Sequence, residues 1–170
     1  GIIILMPLPA QVDRMKIIRH ISPDKDVEGI HPFNIGKRLL GGAHIAPCTA
    51  GAVMELLDST GIDLYGKEAV VVGWSEIVGK PIAMLLLEKV ATVNICHMIG
   101  TRDAGNLEKH VRQAEVLITA VGKAGLIKGE WIKEGAVVID VGINRVGDKI
   151  VGDVEIESAA KHASFITPVP

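Results

Sequence analysis

The stretch Ala69-Val-Val-Val-Gly73-Trp-Ser-Glu-Ile-Val-Gly79-Lys-Pro81 decides the fold. Its uninterrupted apolar start, rich in β-branched residues, reads as a strand buried on both faces of a parallel sheet, and Gly73 ends it. Gly79-Lys-Pro81 then opens a helix reaching about Lys89, with Pro81 in the first turn, where its missing N–H does no harm. Backbone N–H groups at such a strand-to-helix turn, with the positive helix end behind them, make a phosphate cradle. The spacing is G-x-S-x-x-x-G-x-P rather than G-x-G-x-x-G, and Ser75 stands where a second glycine would. A plain turn needing φ > 0 would also use Gly73, so on pattern alone both readings stay open.

Downstream the same rhythm repeats. Thr92–Cys96 reads as a second strand, Asn106–Gln113 as a polar helix, Glu115–Val121 as a third strand, Gly135–Val141 as a fourth and Phe165–Thr167 as a fifth. Strands alternating with short helices predict an α/β fold, a Rossmann-like doubly wound parallel sheet over residues 47–170. Val121-Gly122-Lys123 and Asp140-Val-Gly142-Ile143-Asn144 also place glycine at a strand's carboxyl end, the edge along which ligands lie in such sheets. Lys123 faces either an anion or solvent, and Asp140 is either a sheet-edge cap or a catalytic candidate.

Upstream, Thr49 is placed to cap a helix running to Leu57, and Asp63–Gly66 reads as a turn. Gly1–Leu5 has the pattern of a buried strand ended by Pro7-Leu8-Pro9, Val12–Ile21 of a helix, and Ser22–Pro32 of a polar loop. Residues 1–46 are expected to belong to a neighbouring α/β domain. The start at Gly1 inside an apolar run, and the strand-like segment just before Pro170, suggest a piece of a longer chain.

Composition removes other classes. With 18 Lys+Arg against 20 Asp+Glu the net charge is −2, which gives no footprint for nucleic acid or an anionic membrane surface. Hydrophobic residues at 48% support a core, and with two Phe, two Trp and one Tyr that core must be aliphatic. No apolar run approaches the roughly 18 residues of a membrane helix. Cys48 and Cys96 form no disulfide framework, lack an activating neighbour in sequence and are expected to be buried thiols. The six histidines show no ligand spacing, so no metal is expected, and a reducing cytoplasm is the simplest location. Asp26 and Glu28 either clamp a polar ligand or face water.

The motifs Gly1–Pro9, Lys25–Pro32, Pro47-Cys-Thr49, Val71–Pro81, Val138–Arg145 and Ile166–Pro170, in that order, resemble the bifunctional methylenetetrahydrofolate dehydrogenase/methenyltetrahydrofolate cyclohydrolase family, the FolD type. The resemblance implies a folate cleft beside a Rossmann-like NADP domain. It implies oxidation of 5,10-methylenetetrahydrofolate by hydride transfer, then hydrolysis to 10-formyltetrahydrofolate, in a cytoplasmic homodimer. Carried over by position, tetrahydrofolate derivatives would contact Pro7, Leu8, Pro9, Glu28, Pro168 and Val169. The dinucleotide would contact Gly73, Trp74, Ser75, Ile77, Gly79, Pro81, Met98, Val121, Gly122, Gly142 and Ile143.

Several positions depart from the family pattern. The family's Tyr-x-x-x-Lys is absent: Tyr65 is followed four places later by Ala69. The usual Gln before Pro-Leu-Pro is Leu5, which can neither donate nor accept a hydrogen bond, and the usual Asp is Glu28. Trp74, Met98 and Ile99 replace the usual 2′-phosphate contacts, which opens the site to NAD unless Lys80 or Arg102 compensates. A degenerate relative that binds dinucleotide without turnover is the alternative. An unrelated Rossmann dehydrogenase of the shikimate type would leave Pro7–Pro9 and Lys25–Pro32 without a role.

Overall fold

The computed structural model describes residues 1–42, 45–97 and 105–170. Six α-helices occur among them: α1 (Arg14–His20), α2 (Pro32–Leu39), α3 (Cys48–Ser59), α4 (Gly79–Glu88), α5 (Leu107–Gln113) and α6 (Ile156–Ala159). The strands are β1 (Glu68–Val72), β2 (Thr92–Cys96), β3 (Val116–Thr119), β4 (Val137–Asp140), β5 (Asn144–Val146), β6 (Lys149–Val151) and β7 (Phe165–Ile166). Five of them form one parallel sheet in the order β2-β1-β3-β4-β7, while β5 and β6 make a separate antiparallel hairpin. The sheet is therefore the expected doubly wound one, and its order reverses between β1 and β3, the switch point at whose carboxyl end ligands sit in such sheets.

Strand alternation sorts the aliphatic side chains to two faces. Ala69, Val71, Val116, Ile118, Val137 and Ile139 pack with α3 and α4 through Val53, Leu57, Ile82 and Leu86. Val70, Val72, Leu117 and Val138 pack on the other face with Leu107 and Val111 of α5 and Ala159 of α6. Each fully buried Val, Leu or Ile contributes about 1.5–3 kcal/mol, set against the entropy of ordering the chain.

Toward the N-terminus the expectations need correction. Gly1–Leu5 is not a buried strand: Ile2 makes an isolated parallel bridge to Asp26, and Ile3 and Leu5 are 54% and 79% exposed. Among the described residues no further strand pairs with the segment or covers it, so its apolar pattern is left at the surface. Thr49 does not cap α3, which starts one residue earlier behind Pro47 with no side-chain cap. Helix α1 is instead capped by Asp13, whose Oδ1 accepts from the amides of Met15 (2.9 Å) and Lys16 (3.1 Å).

Candidate functional site

Gly73 closes β1 at the sheet's switch point with φ of 118°, and a Cβ there would run into the backbone of Ala120 just beyond β3. A Cβ on Gly79 would fall on the Gly73 carbonyl, so strand end and helix start touch through backbone alone. The Ser75 hydroxyl accepts from the amides of Val78 (3.2 Å) and Gly79 (3.3 Å), and its carbonyl accepts from Lys80 (3.0 Å). With Pro81 lacking an N–H, the first-turn donors of α4 are thereby satisfied within the loop. Among the described residues, the amides of Trp74, Ser75, Glu76 and Ile77 have no acceptor. The donors left without an acceptor thus belong to the turn itself, while Gly79 and Pro81 shape it. This turn, with no room for a Cβ at either glycine, fits a bound phosphate group.

At the open end of the turn Trp74 is 46% exposed and lies against His97 beyond β2, ring centroids 4.1 Å apart at 54°. The Lys80 ammonium sits 4.9 Å from the Trp74 ring centroid on α4. Met98, Ile99 and Arg102 lie outside the described residues.

The other two strand-end glycines behave differently. Asp153 is fully buried and its carboxylate accepts from the amides of Val121 (2.7 Å), Gly122 (3.1 Å) and Lys123 (2.8 Å), and from Asn144 Nδ2 (2.9 Å). Asp140, also buried, accepts from Thr119 Oγ1 (3.0 Å) and from the amides of Gly142 (2.9 Å), Asp153 (3.1 Å) and Val154 (2.8 Å). A Cβ on Gly142 would strike the Asp153 carboxylate, and one on Gly152 the Asp140 carboxylate. Of the two readings left open for Asp140, these bonds match the sheet-edge cap. The amides of Val121, Gly122 and Gly142 are held by protein carboxylates, while Ile143 is 75% exposed and Lys123 is solvent-facing.

A small cavity of about 180 Å³ borders the turn. Ile77 and Val78 form one wall, and Leu5, Glu28, Cys48 and Thr49 lie among the residues facing them. Cys48 is exposed, against the expectation of two buried thiols; Cys96 is buried. Asp26 is 2% exposed rather than solvated, and accepts from the amides of Glu28 (3.2 Å) and His31 (2.8 Å) and from Asn34 Nδ2 (2.8 Å). Burial pushes its carboxyl up, but the bonds from Asn34, His31, Ile30 and Glu28 outweigh that and hold it below its ordinary range. His31 caps α2, accepting from the Phe33 amide through Nδ1 (3.1 Å). Pro7, Leu8 and Pro9 do not line this cavity; Val169 lines a separate one, of about 600 Å³, with Asp140 and Thr167, and Pro168 is exposed. Among the described residues no group of three His, Cys, Asp or Glu is arranged to hold a metal, and no helix is long and apolar enough to cross a membrane.

Comparison with known proteins gives this geometry a family. The tetrahydrofolate dehydrogenase/cyclohydrolase NAD(P)-binding domain matches residues 47–170. The chain belongs to this family. Bifunctional protein FolD 2 of Geobacter sulfurreducens is 55% identical over 171 aligned positions, covering all of this chain and 59% of the relative. The crystal structure of the FolD enzyme of Campylobacter jejuni superposes with TM-score 0.90 at 46% identity, covering 97% of this chain and 58% of that one. The Trypanosoma brucei FolD, solved with NADP cofactor and inhibitor, gives TM-score 0.91 at 40% identity and covers 98% and 58%. This chain thus spans about 59% of the length of the curated FolD relatives it matches.

Sequence reasoning found the turn after β1 and offered Asp140 as a sheet-edge cap, but it missed Asp153 and the burial of Asp26. Asp26 was readable only as a solvated or ligand-clamping residue, and Asp153 carried no sequence signal. Its amide partners lie 30 to 32 residues away.

Proposed function

We propose that the protein oxidises 5,10-methylenetetrahydrofolate to the methenyl form with NADP and hydrolyses the product to 10-formyltetrahydrofolate. The observation that carries this is the shared wall of Ile77 and Val78. The same loop carries the amides of Trp74 to Ile77, which have no acceptor among the described residues, and lines a cavity with Leu5 and Glu28. Residues 1–46 are read as part of the folate-binding domain, and 47–170 as the dinucleotide domain. In the proposal, the amides of Trp74 to Ile77 hold the pyrophosphate, and Gly73 and Gly79 allow its close approach. The nicotinamide, when bound, accepts the hydride. Glu28 is proposed to hydrogen-bond the pterin, with Pro7, Leu8, Pro9, Pro168 and Val169 as further folate contacts. Holding donor carbon and acceptor ring in contact supplies the orientation on which such a transfer depends.

The 2′-phosphate end is assigned to Lys80, whose ammonium stands over Trp74 where the family more often has arginine beside the first glycine. This favours NADP; with Lys80 as the cation assigned among the described residues, the preference over NAD is expected to be modest. No residue of this chain is assigned to the proton transfers of the hydrolytic step, because the Tyr-x-x-x-Lys motif is absent from it. By the same family likeness the protein is proposed to work in the cytoplasm as a homodimer.

The test is a spectrophotometric assay of the intact protein with methylenetetrahydrofolate and either dinucleotide. Reduction of NADP, with slower reduction of NAD, is expected. If both bind but neither is reduced, turnover is refuted; if neither binds, the dinucleotide site is refuted as well.

A further inference from the structure

A concavity of about 500 Å³ lies between α1, α2 and the start of α4, with Arg14, Arg19, Arg38 and Lys80 on its walls against a single carboxylate, Glu76. The chain as a whole carries a net charge of −2, so this local excess of cations runs against the overall balance. Two of the cations are already engaged: Arg38 with Glu88 (3.3 Å) and the Ile45 carbonyl, and Lys80 over Trp74. Arg14 binds Glu76 through Nη2 (2.7 Å), and its Nε is buried with no acceptor among the described residues. Arg19 has no ion-pair partner among the described residues. A guanidinium presents Nε and Nη as a fork that suits two oxygens of one anion, and Arg14 leaves half of that fork unused. Ile35 and Met84 supply an apolar wall beside it.

We propose that this concavity is a second ligand site, which takes a small oxyanion carried on an apolar body. Arg14 and Arg19 take the oxyanion; Ile35 and Met84 take the body. The site is coupled to the turn after β1 through Glu76, whose carboxylate pairs with Arg14 and whose amide is one of the open donors. An incoming oxyanion competes with Glu76 for Arg14 and releases a carboxylate beside the amides that would hold a pyrophosphate. Occupancy therefore weakens dinucleotide binding, and dinucleotide weakens the oxyanion by the same factor. This coupling rests on the dinucleotide reading; the binding does not.

The experiment titrates phenyl phosphate, benzoate and inorganic phosphate into the intact protein without dinucleotide, by calorimetry. Phenyl phosphate is expected to saturate near ~1 mM, a range weak enough for two ion contacts and one apolar face. Benzoate tests whether a carboxylate serves as well, and inorganic phosphate is expected to bind about tenfold more weakly, lacking the body. The double substitution Arg14→Gln and Arg19→Gln should weaken phenyl phosphate at least about tenfold. Ile35→Trp, which fills the apolar wall, should weaken phenyl phosphate and leave inorganic phosphate unchanged. Added phenyl phosphate should raise the NADP dissociation constant to a plateau of about fivefold. Equal affinity in wild type and the double variant overturns the site, and so does a rise in the NADP constant without limit, since that places the phosphate in the turn itself. If NADP does not bind, the proposed function fails while the phosphate titration still decides this site.

Discussion

Asp153→Ala removes the acceptor that organises the turn after β3, and its effect can be worked from the structure. The carboxylate is fully buried and takes four donors, the amides of Val121, Gly122 and Lys123 and Asn144 Nδ2, at 2.7 to 3.1 Å. Each lost bond contributes about 1 kcal/mol net, and a buried donor left without an acceptor costs up to about 3. Gly122 and Lys123 are exposed, so water can replace part of the loss there. The expected destabilisation is about 3–4 kcal/mol, or a fall in Tm of roughly 6–16 °C for a domain of this size. Asp153→Asn keeps one acceptor oxygen but turns an NH₂ group toward the same donors, and should cost about 2 kcal/mol. Urea unfolding of the three proteins measures this directly, with an unchanged m-value showing that the folded and unfolded states compared are the same. If both variants unfold within about 0.5 kcal/mol of wild type, the carboxylate does not hold this turn, and the assignment of its amides to Asp153 is wrong.

Three further outcomes follow from the same contacts. Gly79→Ala sets a Cβ against the Gly73 carbonyl, so the turn must open; NADP affinity measured by calorimetry should fall at least tenfold, with roughly 1–3 kcal/mol of stability lost. Trp74→Arg should add a guanidinium beside the assigned 2′-phosphate position and raise the NADP-to-NAD ratio of kcat/KM by about tenfold, read from initial rates with each dinucleotide. The hydrogen bond from Lys67 (3.0 Å), then that from the Glu68 amide (3.1 Å), hold the Glu115 carboxyl below its ordinary range. Its pKa is lower folded than unfolded, so the stability it adds is complete above the unfolded value and disappears as pH falls through the folded one. Lys67→Met should therefore be less stable than wild type at neutral pH, with the gap closing on acidification in a pH series of unfolding free energies.

What could be read from the sequence follows from how far apart the interacting groups lie. Apolar runs bounded by turn residues carry their own signal, and Thr92–Cys96 has the same bounds in sequence and structure. The switch from a strand to the helix at Gly79 was equally visible, because glycine, serine and proline stand together there. Helix α2 was missed because Pro32 reads as loop punctuation; in the structure it occupies the helix start, behind the His31 cap. The hairpin β5–β6 was missed because Arg145, Asp148 and Lys149 break its alternation around Gly147, whose φ is 60°. Gly1–Leu5 failed in the opposite sense: its pattern is that of a buried strand, but burial depends on a partner that no pattern supplies.

The strand-end glycines show why residue type alone could not locate the site. Gly73, Gly122 and Gly142 looked alike, each following a β-strand on the ligand-facing edge of the sheet. Their surroundings separate them. Among the described residues, the four successive amides after Gly73 have no acceptor, whereas the Gly122 and Gly142 amides bind Asp153 and Asp140. An internal carboxylate at a strand end fills the place an external anion would take, with the same donors and the same charge. Asp153 and Asp140 therefore occupy the amides of Val121, Gly122, Lys123 and Gly142, so that in the proposed function a phosphate would find its donors in the turn after β1. A glycine at the carboxyl end of a parallel strand points to a ligand only when the amides that follow it are unclaimed. Among the described residues, the run of four amides from Trp74 to Ile77 meets that criterion.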